Sequence, residues 1–379
     1  MNIVYSQSGW FTLTSPTNDN LNGVVFTNAS TGFAVGGNTI IRTTDAGITW
    51  VRYPDTTVSE TCHSVFFVNE ITGYVGTQHS GLAKTTNSGN NWFTVNKSEF
   101  RSVYFRNSDT GYATGWVGLG GVIKKTTNGG INWIGLHGFY PSQAYNIFFP
   151  SEDTGYAGSY IYLYKSTNSG LNWTWIPYNN FGVPRNQYFI NSATGYVCGG
   201  NIIGSNPNLH KTTDGGKNWT VLRTGSTVRL FSAHFLNSDK GYCVGDSGFI
   251  IRTTNAGASW LRQEPQTSRI LKSVFFTSAN TGYVVGDSGL ILKTTTGGVI
   301  GIEPVSNIIP VRFKLYQNYP NPFNANSKIK VQISKLGYVK LVIYDVVGRE
   351  VVALVNQDLN PGAYEVDFDG TDYPSGVYY

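Results

Sequence analysis

Most of the first 300 residues consist of short runs in which small, aliphatic and aromatic side chains alternate, separated by polar turn residues. Runs such as SVFFVN (Ser64–Asn69) and SVYFRN (Ser102–Asn107) have the period of two expected of half-buried strands. A turn follows each, and then a glycine with Phe or Tyr after it: Gly32, Gly73, Gly111, Gly155, Gly195, Gly241 and Gly282. Glycine suits a tight turn with positive φ, and the aromatic opens a second strand. A third strand such as GFIIRTT (Gly248–Thr254) runs into an eight-residue phrase ending in Trp, and that Trp begins a fourth strand. The phrase reads TTDAGITW (Thr43–Trp50), TTNSGNNW (Thr85–Trp92), TTNGGINW (Thr126–Trp133), STNSGLNW (Ser166–Trp173), TTDGGKNW (Thr212–Trp219) and TTNAGASW (Thr253–Trp260). A decayed copy starts at Thr294.

The phrase tryptophans, counted from Trp10, lie 40, 42, 41, 40, 46 and 41 residues apart. Four short strands per unit of about forty residues predict a β-propeller, and seven units predict seven blades. The seventh phrase has Gly301 where Trp should stand, while Ser8–Thr14 (SGWFTLT) is an orphan fourth strand. The N-terminal strand is therefore expected to complete the seventh blade and cover its open edge.

The repeated phrase resembles the Asp-box, or BNR repeat, of sialidase-type propellers. The wider unit GYVVGDSGLILKTT (Gly282–Thr295) is similar to that of the photosystem II assembly and stability factor family, a likeness covering residues 1–300. The resemblance implies a seven-bladed propeller and no particular chemistry. Only Asp45 and Asp214 keep the box aspartate, against Asn87, Asn128, Asn168 and Asn255. Asn and Asp both bond backbone in tight turns, so the boxes are expected to be structural stitching rather than metal ligands.

After a linker (301–312), residues 313–379 carry YPNPFN (Tyr319–Asn324), VKLVIYDVVGREVVALVN (Val339–Asn356), PGAYEVDFDG and SGVYY in order. This segment resembles the type A C-terminal sorting domain of the type IX secretion system. Its alternating strands and Gly/Pro turns predict a small β-sandwich. The resemblance implies export across an outer membrane and a partner in the type IX machinery, and its pattern runs slightly past SGVYY. The start MNIVYSQSGWFTL lacks the charged and apolar regions of a leader. The expectation is thus a secreted or surface protein shortened at both ends, and a monomer.

Charged residues are 13% of the chain, against about 25% in average soluble domains. The net charge of +5 has a local origin. Residues 1–300 hold 20 basic and 14 acidic side chains, and seven of the basic ones occupy the position before each box, from Arg42 and Lys84 to Arg252 and Lys293. There a long stem can lie along apolar neighbours, so the surplus is structural and does not indicate nucleic acid. No run of 18 apolar residues spans a membrane. Of three cysteines, Cys198 and Cys243 fall in second strands of neighbouring blades, where two buried thiols are favoured over a bridge.

Candidate binding residues lie where the repeat stops repeating. Four residues before the last aromatic of each first strand stand Asn22, His63, Arg101, Tyr145, Arg185, Phe231 and Lys272. In a propeller this position faces the channel mouth. The turns between second and third strands add His79, Trp116, Asp246 and Asp287, and an enlarged loop spans Gly200–Leu209. A rim of cations and rings suits an anionic or sugar-like ligand. A sialidase-like site would need three arginines and a Tyr–Glu pair, and a glycosidase two facing carboxylates. Arg101 and Arg185 meet the first need only in part, and Asp246 and Asp287 sit in Gly-Asp-Ser-Gly turns that Asp commonly forms. No metal-spaced cluster, phosphate loop or cofactor motif occurs. The reading is a secreted binding module for an extracellular protein or acidic glycan; the alternative is a glycan-cleaving enzyme.

Overall fold

The computed structural model describes residues 9–53, 60–117, 120–139, 144–160, 162–176, 182–200, 209–222, 224, 226–263, 265, 267–298, 302–306, 309–324, 326–370 and 373–379. It has two compact units, Phe11–Lys293 and Thr294–Tyr379 with Trp10. Each forty-residue repeat forms one four-stranded antiparallel sheet, and there are seven such sheets. In chain order the blades begin with the strands Leu21–Phe26, Cys62–Phe67, Ser102–Phe105, Ala144–Phe148, Pro184–Phe189, Leu230–Phe235 and Leu271–Phe276. Each first strand packs on the next, and the seventh packs on the first, closing a ring. The foreseen closure is present: Gly9–Thr12 is the outer strand of the seventh sheet, beside Ile291–Gly298, and Trp10 is buried. Ser8 and the loop 201–208 lie outside the described residues.

The apolar residues that mark the repeat build a staircase between blades. The Phe ending each first strand stacks on the aromatic of the preceding blade's second strand. Ring centroids are 3.8 Å apart for Phe105 on Tyr74 and Phe149 on Tyr112, and 3.9 Å for Phe26 on Tyr283. The box Trp meets the same Phe edge-on, as Trp50 does Phe26 at 6.0 Å. Such pairs contribute about 0.5–1.5 kcal/mol beyond their burial. The glycine of the second strand serves this staircase rather than a turn. A Cβ at Gly32 would lie 2.6 Å from the Phe26 ring, and no positive φ is required there.

The box is stitching, as its Asp/Asn exchange implied. Asp45 Oδ1 accepts from Thr49 N at 2.9 Å, and Asn87 Oδ1 accepts from Asn91 N at 2.9 Å. The oxygen common to both residue types does the work. The lysine before the box joins neighbouring blades: Lys211 Nζ and Tyr196 OH both donate to Ala256 O in the next box, at 2.7 and 2.9 Å. Lys293 Nζ and Tyr283 OH do the same to Ala46 O, at 2.8 and 2.6 Å, across the ring closure. The five lysines of the cationic surplus are thus bound to backbone carbonyls of the next blade, and Arg42 to the Asn90 side chain. Cys198 and Cys243 share one buried core cluster as free thiols, and burial raises both, Cys198 to about 12.

In the second unit, a sheet ordered Ile302–Ser306, Gly362–Asp369, Asn326–Ile333, Lys314–Leu315 accompanies the hairpin Gly337–Tyr344 and Glu350–Leu359. Ile329, Val331 and Val366 of the sheet share a core with Ile343, Leu354 and Val355 of the hairpin.

Candidate functional site

The seven variable first-strand residues, Asn22, His63, Arg101, Tyr145, Arg185, Phe231 and Lys272, line one cavity of about 340 Å³ enclosed by all seven first strands. Local backbone geometry puts them there. In six of the seven first strands the register shifts at this residue, for instance between Leu21 and Gly23 or between Leu271 and Ser273. The extra residue of a β-bulge breaks the alternation and re-aims its side chain. Leu21, Val24 and Phe26 can then all be buried although their spacing is not a multiple of two.

Next along each strand is a small or amide residue, which ties the lining together. Ser273 Oγ accepts from Val24 N at 3.2 Å, Ser232 Oγ from Val274 N at 3.3 Å and Asn186 Oδ1 from Ala233 N at 3.2 Å. These backbone donors face the channel and take their acceptors from the neighbouring blade.

Charges around the mouth are unevenly compensated. Arg101 Nε lies 3.3 Å from Glu99 Oε1, and Lys272 Nζ lies 2.7 Å from Asp287 Oδ1 and 3.2 Å from Asn22 Oδ1. Just behind the rim, Arg229 grips Asp246 at 2.6 and 3.2 Å. Arg185 differs. Its guanidinium is held between two rings, 5.5 Å from the Tyr145 centroid and 5.0 Å from that of Phe231, and among the described residues it has no carboxylate partner. Its Nε is buried without a hydrogen bond. Burial, then the neighbouring Tyr145, shifts its proton affinity, with burial the larger and lowering it, yet an arginine remains charged at neutral pH. Arg101 and Arg229 flank the same rings at 5.8 and 5.6 Å, giving an alternating series of cation and ring over blades 3 to 6.

His63 is not a cation at neutral pH. Desolvation first, then Arg101 and His79, lower it to about 4. Its buried Nε2 has no protein hydrogen bond.

The rim foreseen from the sequence thus separates. His63, Arg101, Tyr145, Arg185 and Lys272 are brought together; His79, Trp116, Asp246 and Asp287 do not line the cavity. The latter sit on or beside second-to-third-strand turns, one strand back from the channel, and the two carboxylates are bound to Arg229 and Lys272. Sequence reasoning overlooked Gln187, which is only 2% exposed and whose amide lies against Gly158 of blade 4, behind the channel lining, without a hydrogen-bond partner. The signal was available: the other blades have Val24, Val65, Val103, Ile147, Ala233 and Val274 at this position. Arg229 and Glu99 were also overlooked, since they lie outside the repeat position that varies.

Residues 177–266 match the family model of the photosynthesis system II assembly factor YCF48, and residues 317–379 match that of the secretion system C-terminal sorting domain. The chain thus joins a propeller with YCF48-type repeat sequence in residues 177–266 to a sorting domain in residues 317–379. Among solved structures it is similar to YCF48 bound to D1 peptide, at 17% identity over 77% of this chain and 99% of that one, with a TM-score of 0.64. YCF48 from Cyanidioschyzon merolae is 18% identical over 75% of this chain and 98% of its own, with a TM-score of 0.62. An ancestral GH74 enzyme is 15% identical over 88% of this chain and 54% of the enzyme, also with a TM-score of 0.62. At such identities these likenesses establish the propeller fold alone. No curated protein sequence matches the chain. The sorting tail supports secretion to the outer surface through the type IX machinery.

Proposed function

We propose that this secreted propeller is a binding module whose channel mouth holds an acidic group of an extracellular protein or glycan, with Arg185 as the anchor. The observation that carries the reading is the charge inventory: Arg101 and Lys272 have carboxylate partners, and Arg185 has rings instead. Rings cover the faces of a guanidinium and leave its in-plane donors free for a carboxylate or similar anion. His63 and Asn146 add buried polar atoms without hydrogen bonds to the same cavity. A similar fold is known bound to a D1 peptide, so a peptide is an apt ligand class.

Glycan cleavage is the second reading, favoured by likeness to an ancestral GH74 enzyme. It needs two carboxylates about 5–9.5 Å apart across a substrate. Among the described residues no carboxylate lines the channel cavity. Binding is accordingly the stronger reading.

The test titrates the full chain with an acidic peptide and with oligogalacturonate at low and high salt. Arg185→Gln should weaken binding about tenfold or more, the scale of one hydrogen bond to a charged group, and salt should shrink the difference. Equal affinity of Arg185→Gln and the parent for every acidic ligand bound would overturn the proposal. Sugar release abolished by Asp246→Asn or Asp287→Asn would replace it with the enzyme reading.

A further inference from the structure

Blade 4 departs from the repeat at its outer edge. The residue two before the box Ser or Thr is Ile41, Ala83, Lys124, His210, Ile251 or Leu292 in the other blades, each at most 6% exposed. In blade 4 it is Tyr164, which is only half-buried. Tyr164 pairs across the sheet with Trp175 of the outer strand, which is 53% exposed. Tyr162 lies on the same face, 6.2 Å from the Tyr164 ring and 5.7 Å from that of Trp175. On the other side, His137 from the outer strand of blade 3 meets Tyr164 at 5.2 Å. Four rings from two blades thus form a continuous chain in steps of 5.2 to 6.2 Å.

The edge of blade 3 extends this surface. Its second and third strands, Gly111–Val117 and Gly120–Thr126, have seven residues each, where most blades use four or five. Tyr112 stacks on Phe149 of blade 4, so by strand alternation Trp116 stands on the blade 4 side of its sheet.

We infer that this ring-lined surface where blades 3 and 4 meet is a second binding site, for a neutral pyranose chain. Sugar rings present apolar C–H faces that stack on aromatic side chains and hydroxyls that bond to their polar tips, here phenol, indole and imidazole. The described ring contacts run between uncharged side chains: Lys165 turns to Gly215 O in blade 5, and burial lowers the affinity of His137 for a proton. A docked protein is a poorer match, because stable interfaces engage about 20–30 residues a side. The site is independent of the channel mouth and of the acidic-ligand reading.

The test applies the full chain to an array of neutral and acidic oligosaccharides, then titrates the strongest neutral one while following tryptophan fluorescence. Trp175→Ala and Tyr162→Ala should each weaken binding about tenfold without changing the melting temperature, whereas Arg185→Gln should leave it unchanged. Trp175→Phe should recover part of the affinity. Binding of no neutral glycan, or equal loss with Arg185→Gln, would overturn the site. Concentration-dependent dimerisation abolished by Trp175→Ala would overturn it in favour of a contact between copies.

Discussion

The lysine and tyrosine that share one carbonyl between blades make a quantitative prediction. Ala256 sits at φ 57 in the box of blade 6, and its carbonyl points toward blade 5. Tyr196 OH reaches it at 2.9 Å and Lys211 Nζ at 2.7 Å, with the ammonium 5.6 Å from the Tyr196 ring centroid. Tyr196→Phe removes one hydrogen bond and keeps the stacked ring, at a cost of about 1 kcal/mol. Lys211→Met removes the charged donor but keeps the stem, and its partial exposure holds the cost to about 1 kcal/mol as well. Either variant leaves the carbonyl with one donor. Together they leave it with neither, adding a desolvation penalty of about 1–3 kcal/mol. The double variant should therefore lose about 3–5 kcal/mol, with a coupling of at least about 1 kcal/mol. The assay is urea unfolding of the four proteins, followed by tryptophan fluorescence and circular dichroism, with slopes compared to verify a common transition. Losses that add within about 0.5 kcal/mol would refute the shared acceptor.

Further outcomes follow from the same structure. Asp45→Asn should be tolerated better than Asp45→Ala at pH 7, since the amide keeps the side-chain oxygen that accepts from Thr49 N; equal losses in thermal melting would contradict this. Hydrogen bonds from Thr49 hold the Asp45 carboxyl down to about 2, so its stabilising effect is present above its unfolded pKa near 3.9 and lost as pH falls through 2; Asp45→Asn should flatten acid unfolding in that window. His63, lowered to about 4, is more easily protonated unfolded than folded, so stability should fall as pH drops from about 6.5 toward 4; the dependence should be shallower in His63→Gln, measured by unfolding at fixed pH values. Trp10→Ala should cost about 3–5 kcal/mol and promote aggregation, because it loosens the strand that covers the last sheet edge; unchanged melting and light scattering would contradict that role.

How far the chain could be read depended on which interactions repeat. The aromatic staircase, the boxes and the lysine or arginine before them recur at the same spacing with like residue types, so spacing alone showed that they belong to one blade plan. Even Trp10 was legible, because the Trp missing at the seventh box identified its place. The glycine before each Tyr was misread: sequence pattern cannot distinguish a turn from the pressure of a Phe ring on the Gly32 backbone. The channel position was legible as variation within a fixed frame, and the bulge that aims it became visible only in the backbone. Charge compensation was not legible. Asp246 and Asp287 looked alike in sequence, yet one neutralises Arg229 behind the rim and the other Lys272 upon it. Trp116 was assigned by its turn to the channel, whereas its alternation with Tyr112 sets it on the side of its sheet that faces blade 4.

The central claim is that ligand is held at the channel mouth and anchored by Arg185. A crystal structure of the full chain grown with the tightest-binding acidic peptide or oligosaccharide tests it most directly. The account predicts ligand density within the cavity lined by the seven first strands, with an anionic oxygen in hydrogen-bond contact with the Arg185 guanidinium. Ligand lodged on the box-turn face, or in the channel with its anionic group away from Arg185, would contradict it.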